Sequence, residues 1–158
     1  GGGANEEYLD LAGLLDEVVE DARFEAQARR RRVEFDPGSG ELVVRGRAEL
    51  LRRAFDNVLR NAVRHTAEDS AVEVELRRDP ASAVVVRICD QGAGVAEADL
   101  AALFDPFFQS GTGGRDGYGL GLAIARRAIE AHGGRIRAEN RPQGGLCVEI
   151  RLPLSPAS

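Results

Sequence analysis

Leu11, Leu14, Leu15, Val18, Val19, Ala22 and Ala26 recur every three or four positions and predict a helix over about residues 9–30. Acidic residues fill its early turns and Arg29, Arg30, Arg31 and Arg32 its end, the order that the helix dipole favours. Two short extended pieces follow, 33–35 and 42–44, parted by the turn signal Asp36-Pro37-Gly38-Ser39-Gly40. A second apolar stripe, Leu51, Phe55, Val58, Leu59 and Ala62, predicts a helix over about 48–64. The period then drops to two: Val72, Val74 and Leu76, then Val84, Val86 and Ile88, predict two strands joined across Asp79-Pro80. A short helix at about 97–103 and a longer one at about 120–132, stopped by Gly133-Gly134, come next. Two last strands, 135–139 and 146–152, turn at Pro142-Gln143-Gly144-Gly145. Helices and hairpins interleaved in one unit predict an α+β two-layer sandwich, with about three helices packed on a mixed, mostly antiparallel sheet. The domain is expected over 9–152, with 1–8 a tag scar or leader and 153–158 a tail.

Composition narrows the function. At 158 residues the chain is one ordinary domain, able to bury roughly 70% of its unfolded surface. No apolar run approaches the roughly 18 residues of a membrane span, and no signal-peptide pattern opens the chain. A net charge of −5 makes a nucleic-acid partner a poor expectation. All 21 basic residues are Arg, which excludes a P-loop and an ordinary protein-kinase site, both of which place a Lys on the phosphates. The absence of any Met leads us to expect a piece of a longer protein. Two cysteines, Cys89 and Cys147, are too few for a disulfide framework and suit a reducing compartment; they are expected as small core residues. No ligand spacing ties them to His65 and His132 as a zinc site.

Four segments carry candidate chemistry. On the second helix, Asn57 and Asn61 stand about 40° apart, with Arg64 and His65 close by, at the flank of the apolar stripe. Amide oxygens are hard neutral ligands suited to Mg²⁺, and Arg64 would meet phosphate as a fork; taken alone, these are also ordinary surface amides beside an Arg. Asp90 ends an apolar strand with no local cation and needs donors, such as the exocyclic amine of a purine. Gly92 and Gly94 behind it would let a flat ring approach backbone, although an Asp-x-Gly turn reads equally as plain turn chemistry. Gly117-Tyr118-Gly119-Leu120-Gly121 runs straight into an apolar helix, whose free N–H groups make a phosphate cradle; its spacing is not that of a dinucleotide fold. Phe104-Asp105-Pro106-Phe107-Phe108 precedes a long loop, 105–118, and either anchors a lid or plugs a helix end.

Together, and in this order, these segments resemble the N, G1, F and G2 boxes of sensor histidine kinases, and the resemblance covers nearly the whole chain. It implies the Bergerat (GHKL) sandwich, binding Mg²⁺-ATP beneath a lid at 105–118. Carried over, Asn61 would be the Mg²⁺ ligand, with Asn57 a second ligand or water-holder. Arg64 would contact phosphate, and His65 would sit near the nucleotide where relatives often have Tyr. Asp90 would accept the adenine amino group, and Gly92 and Gly94 would line the base pocket. Phe107 and Tyr118 would flank the nucleotide, and Gly117, Gly119, Leu120 and Gly121 would cradle its phosphates.

The resemblance also implies what this stretch lacks. A sensor kinase phosphorylates a histidine on a dimerisation hairpin, and neither His65 nor His132 sits in the pattern of such an acceptor. The implied activity is that of a histidine kinase catalytic part that does not phosphorylate itself. Its implied partners are its own dimerisation domain and a response regulator, and its implied place is the cytoplasmic side of an inner-membrane sensor. Alone, it is expected to be monomeric. Hydrolases of the gyrase, MutL and chaperone type keep a Glu one helical turn before the Mg²⁺ Asn; here that position is Asn57, which cannot act as a base. An anti-sigma serine kinase is the other alternative.

Overall fold

The computed structural model describes residues 6–106, 108 and 121–155. Strand β1 (Glu7–Asp10) leads into helix α1 (Leu11–Ala28), then β2 (Arg32–Asp36), β3 (Val43–Gly46) and helix α2 (Ala48–His65). The hairpin β4 (Ala71–Asp79) and β5 (Ala83–Cys89) follows, then two 3₁₀ turns, Glu97–Asp99 and Ala101–Phe104, in place of the one short helix expected. Helix α3 (Gly121–Ala131) and the hairpin β6 (Arg135–Asn140) and β7 (Leu146–Pro153) close the order.

Five strands form the main sheet in the order β2-β4-β5-β7-β6, antiparallel except for the parallel pair β2 and β4. β1 and β3 pair apart from it, with Glu7 opposite Gly46. The sandwich is thus the mixed, mostly antiparallel one expected, while β1 is an element that the sequence pattern did not foretell. The tail also takes part: the N–H groups of Leu154 and Ser155 donate to Ser82 and Val43.

The period-two pattern decides the two faces of the sheet. Val72, Val74, Leu76, Val84, Val86, Ile88, Val148, Ile150 and Leu152 are buried in one core with the apolar stripes of the helices. In α2, Leu51, Phe55 and Leu59 are at most 1% exposed; each contributes about 1.5–3 kcal/mol by leaving water, which fixes the helix's rotation about its axis.

The opposite face carries charge in register. Glu75, Arg87, Glu149 and Arg137 form one rung across four strands, with Glu149 bonded to Arg87 at 3.1 Å and to Arg137 at 3.0 Å. At the sheet's other edge, hydrogen bonds from Arg77 and the Gly38 N–H hold the Asp36 carboxyl below its usual pKa.

The next rung is Glu73, Cys89, Cys147 and Glu139. Here the expectation of separate core thiols is corrected: both cysteines are buried, but they are joined in a disulfide. Register is the reason. Cys89 and Cys147 lie directly opposite on antiparallel strands with Cα atoms 4.0 Å apart, a pairing that residue spacing along the chain does not reveal.

Candidate nucleotide site

α2 presents its amides where the helix meets the core. Asn61 is 6% exposed, and its Oδ1 has no hydrogen-bond partner among the described residues. A buried acceptor costs about 1–3 kcal/mol unless a water, an ion or a ligand meets it. Asn57, one turn earlier, is half-buried and faces the start of α3: a Cβ on Gly121 would lie 3.9 Å from that of Asn57. The first turn of α3, with its backbone N–H groups, therefore abuts the amide-bearing face of α2. Arg64 is exposed one turn on, and His65 is half-buried with Nε2 out of contact with solvent.

Asp90 closes β5 and is 1% exposed. Its N–H donates to the Leu146 carbonyl at 2.9 Å, while its Oδ1 accepts the N–H groups of Gly92 at 2.9 Å and Leu146 at 3.1 Å. Backbone donors thus help orient a buried carboxylate at the end of a strand.

The loop behind Asp90 is tied to α2. Thr66, the residue after that helix, is 1% exposed, and its Oγ1 accepts the Gln91 N–H at 2.9 Å. The Ala67 N–H donates to the Gln91 carbonyl. Both loop glycines make room for protein. A Cβ on Gly92 would stand 2.1 Å from the His65 carbonyl oxygen; one on Gly94, at φ +74°, would stand 2.7 Å from Asn140 Oδ1. The close approaches that these two glycines permit within the described residues are to the chain itself.

Of the aromatic segment, Phe104 is buried and Phe108 packs half-buried against the core, so these two plug. Phe107, Gly117, Tyr118, Gly119 and Leu120, with most of the expected lid, lie outside the described residues. Gly121 opens α3.

Three residues that hold the site were not singled out from sequence. Thr66, Asn140 and Arg141 fasten the loop after Asp90 through contacts between distant parts of the chain. His132 fastens α3: its Nδ1–H donates to the Ala128 carbonyl at 2.7 Å, its Nε2 accepts the Arg47 N–H at 3.1 Å, and Gly46 leaves the space that its ring fills. The assembled groups can accept hydrogen bonds deep in the fold and offer an amide oxygen to a cation. At position 57 they provide no proton acceptor for a water.

A family profile described as "Histidine kinase-, DNA gyrase B-, and HSP90-like ATPase" matches residues 46–156. The sensor histidine kinase CpxA of Escherichia coli strain K12 is 36% identical over 154 residues, covering 94% of this chain and 32% of CpxA. Among solved structures, the mycobacterial sensor histidine kinase MprB superposes with a TM-score of 0.82 at 28% identity, covering 96% of this chain and all of that one. Full-length ShkA in complex with AMPPNP gives 0.84 at 28% identity, covering 97% of this chain and 32% of that one. The chain spans well under half the length of the curated relatives that it matches.

Proposed function

The chain belongs to the histidine kinase-, DNA gyrase B- and HSP90-like ATPases, as an ATP-binding catalytic domain of the sensor histidine kinase kind, and from that premise we propose how its residues divide the binding of Mg²⁺-ATP. Asn61, with Asn57 as second ligand or water-holder, holds the metal, which supplies neutralisation of the phosphate charge. Arg64 reaches the phosphates, His65 borders the nucleotide, and Asp90 accepts the adenine amino group. Gly92 and Gly94 shape the base pocket by letting the loop close on His65 and Asn140. Gly117, Tyr118, Gly119, Leu120 and Gly121 meet the phosphates at the head of α3, with Phe107 nearby. The observation that carries this reading is the buried Asn61 oxygen that no described residue satisfies.

In the whole protein, the bound γ-phosphate is presented to a histidine on a dimerisation domain and passed on to a response regulator. We place this domain on the cytoplasmic side of an inner-membrane sensor and expect it to be a monomer in isolation. No helix among the described residues is long and apolar enough to cross a membrane. A hydrolase reading is disfavoured by the amide at Asn57, which cannot take a proton from water.

Calorimetric titration with non-hydrolysable ATP and GTP analogues, with and without Mg²⁺, tests the reading: micromolar, adenine-selective, Mg²⁺-sensitive binding is expected. Asp90→Asn keeps Oδ1 as an acceptor for Gly92 and Leu146 but loses a charge-assisted bond to the base. It is expected to weaken binding about 10- to 150-fold with an unchanged melting temperature. Affinity within a factor of two of the parent would remove Asp90 from the base site.

A further inference from the structure

Two consecutive side chains at the end of β6 grip the loop that carries Asp90, one at each end. At the loop's exit, the Asn140 side chain acts as a strand partner: Oδ1 accepts the Val95 N–H at 2.9 Å, and Nδ2 donates to the Val95 carbonyl at 2.5 Å. Nδ2 also reaches Glu97 Oε1 at 3.2 Å. At the loop's entry, Arg141 donates from Nη1 to the Asp90 carbonyl at 3.2 Å and from Nη2 to Glu73 Oε2 at 3.0 Å. Glu73 lies on β4, so the guanidinium spans from the β6–β7 turn across two strands, to one end of the rung that holds the disulfide.

Neither side chain is needed to reverse the chain. The β6–β7 turn is closed by its own backbone, with the Arg141 N–H bonded to the Gly145 carbonyl and the Gly144 N–H to that of Arg141. The surroundings are shaped to the grip. A Cβ on Gly94 would collide with Asn140 Oδ1, and one on Gly145 would stand 2.0 Å from the Asp90 carbonyl oxygen. Arg141 keeps only 15% of its side chain exposed.

We infer that Asn140 and Arg141 are positioning residues for base recognition, a clamp that sets where the Asp90 carboxylate stands and hence how sharply adenine is preferred to guanine. The inference rests on the reading of Asp90 given above. An amino group at the purine 6-position donates to a carboxylate, whereas a carbonyl there repels it; the discrimination depends on a carboxylate held in place. The Mg²⁺ ligands stand on α2, outside the clamp.

The test titrates ADP and GDP against the chain and against Asn140→Asp, Arg141→Met and Arg141→Lys, each with and without Mg²⁺, alongside thermal unfolding. Asn140→Asp keeps the acceptor for the Val95 N–H but turns a carboxylate toward the Val95 carbonyl and Glu97. Arg141→Lys keeps the charge but cannot span both partners as a fork. For Asn140→Asp and Arg141→Met, ADP affinity is expected to fall about tenfold, the worth of one good hydrogen bond, with GDP within a factor of two and the Mg²⁺ increment intact. Arg141→Lys is expected to fall between Met and the parent. A lowered melting temperature with unchanged ADP affinity and ADP:GDP ratio would make the clamp merely structural and overturn the inference. An unfolded Asn140 variant leaves the two Arg141 variants to decide. Failure of the parent chain to prefer ADP would instead defeat the reading of Asp90, and the inference with it.

Discussion

Asn61 sits where an apolar residue would pack at less cost, on the stripe that buries Val58, Leu59 and Ala62. Its Oδ1 gains nothing from the described protein, so its worth has to show in binding. Asn61→Ala is expected to leave the melting temperature unchanged or slightly raised, and to abolish the Mg²⁺-dependent part of nucleotide affinity while the Mg²⁺-free part persists. A Mg²⁺ titration that matches the parent's would sink the assignment. Asn57, Asn61 and Asp90 were legible in the sequence because helical spacing and a strand's end locate a side chain from its neighbours alone. The reason for Gly92 was not. The His65 carbonyl, which would stand 2.1 Å from a Cβ there, belongs to another element, as do Asn140, Arg141 and Thr66.

Among the elements, those with a strong period were legible to within a few residues: α1, α2, α3 and the hairpin strands β4, β5, β6 and β7. Weak signals failed. Glu7-Tyr8-Leu9-Asp10 has no alternation to mark it, and its pairing with β3 supplies what the sequence lacks. The expected short helix splits into two 3₁₀ turns at Leu100. Sheet order and register were likewise hidden, because they are relations between strands; the error over the cysteines followed from that. Once β5 and β7 are aligned, the disulfide closes a separation of 58 residues and lies one residue from the Asp90–Leu146 bonds. A thiol reductant is therefore expected to lower unfolding free energy by about 2–4 kcal/mol, chiefly by freeing the unfolded chain. Urea denaturation with and without dithiothreitol measures this. The Cys89→Ser, Cys147→Ser double variant should match the reduced protein and ignore the reductant; a parent midpoint indifferent to reductant would refute the expectation.

For the molecule as a whole, the question is where the phosphate goes. A histidine that accepts phosphate needs a ring nitrogen able to meet the γ-phosphate in line. His132 has both nitrogens engaged, Nδ1 on Ala128 and Nε2 on the Arg47 N–H, and it joins the end of α3 to the β3–α2 junction. Phosphorylating it would break the tie that positions α3. His65 lies on α2 itself, with Nε2 shielded from solvent and its carbonyl packed on Gly92. On the proposed reading, the site holds and orients ATP, and its acceptor is expected to come from elsewhere. Phosphoryl transfer depends chiefly on positioning and charge neutralisation, so supplying a suitably placed histidine should suffice to complete the reaction. Incubated with γ-labelled Mg²⁺-ATP, the chain alone is expected to gain no acid-labile label. Adding a dimerisation hairpin from a sensor kinase in trans should label that hairpin, and Asn61→Ala should prevent it. Label retained by this chain and lost in His65→Gln would overturn the division of labour and move the acceptor into the site itself.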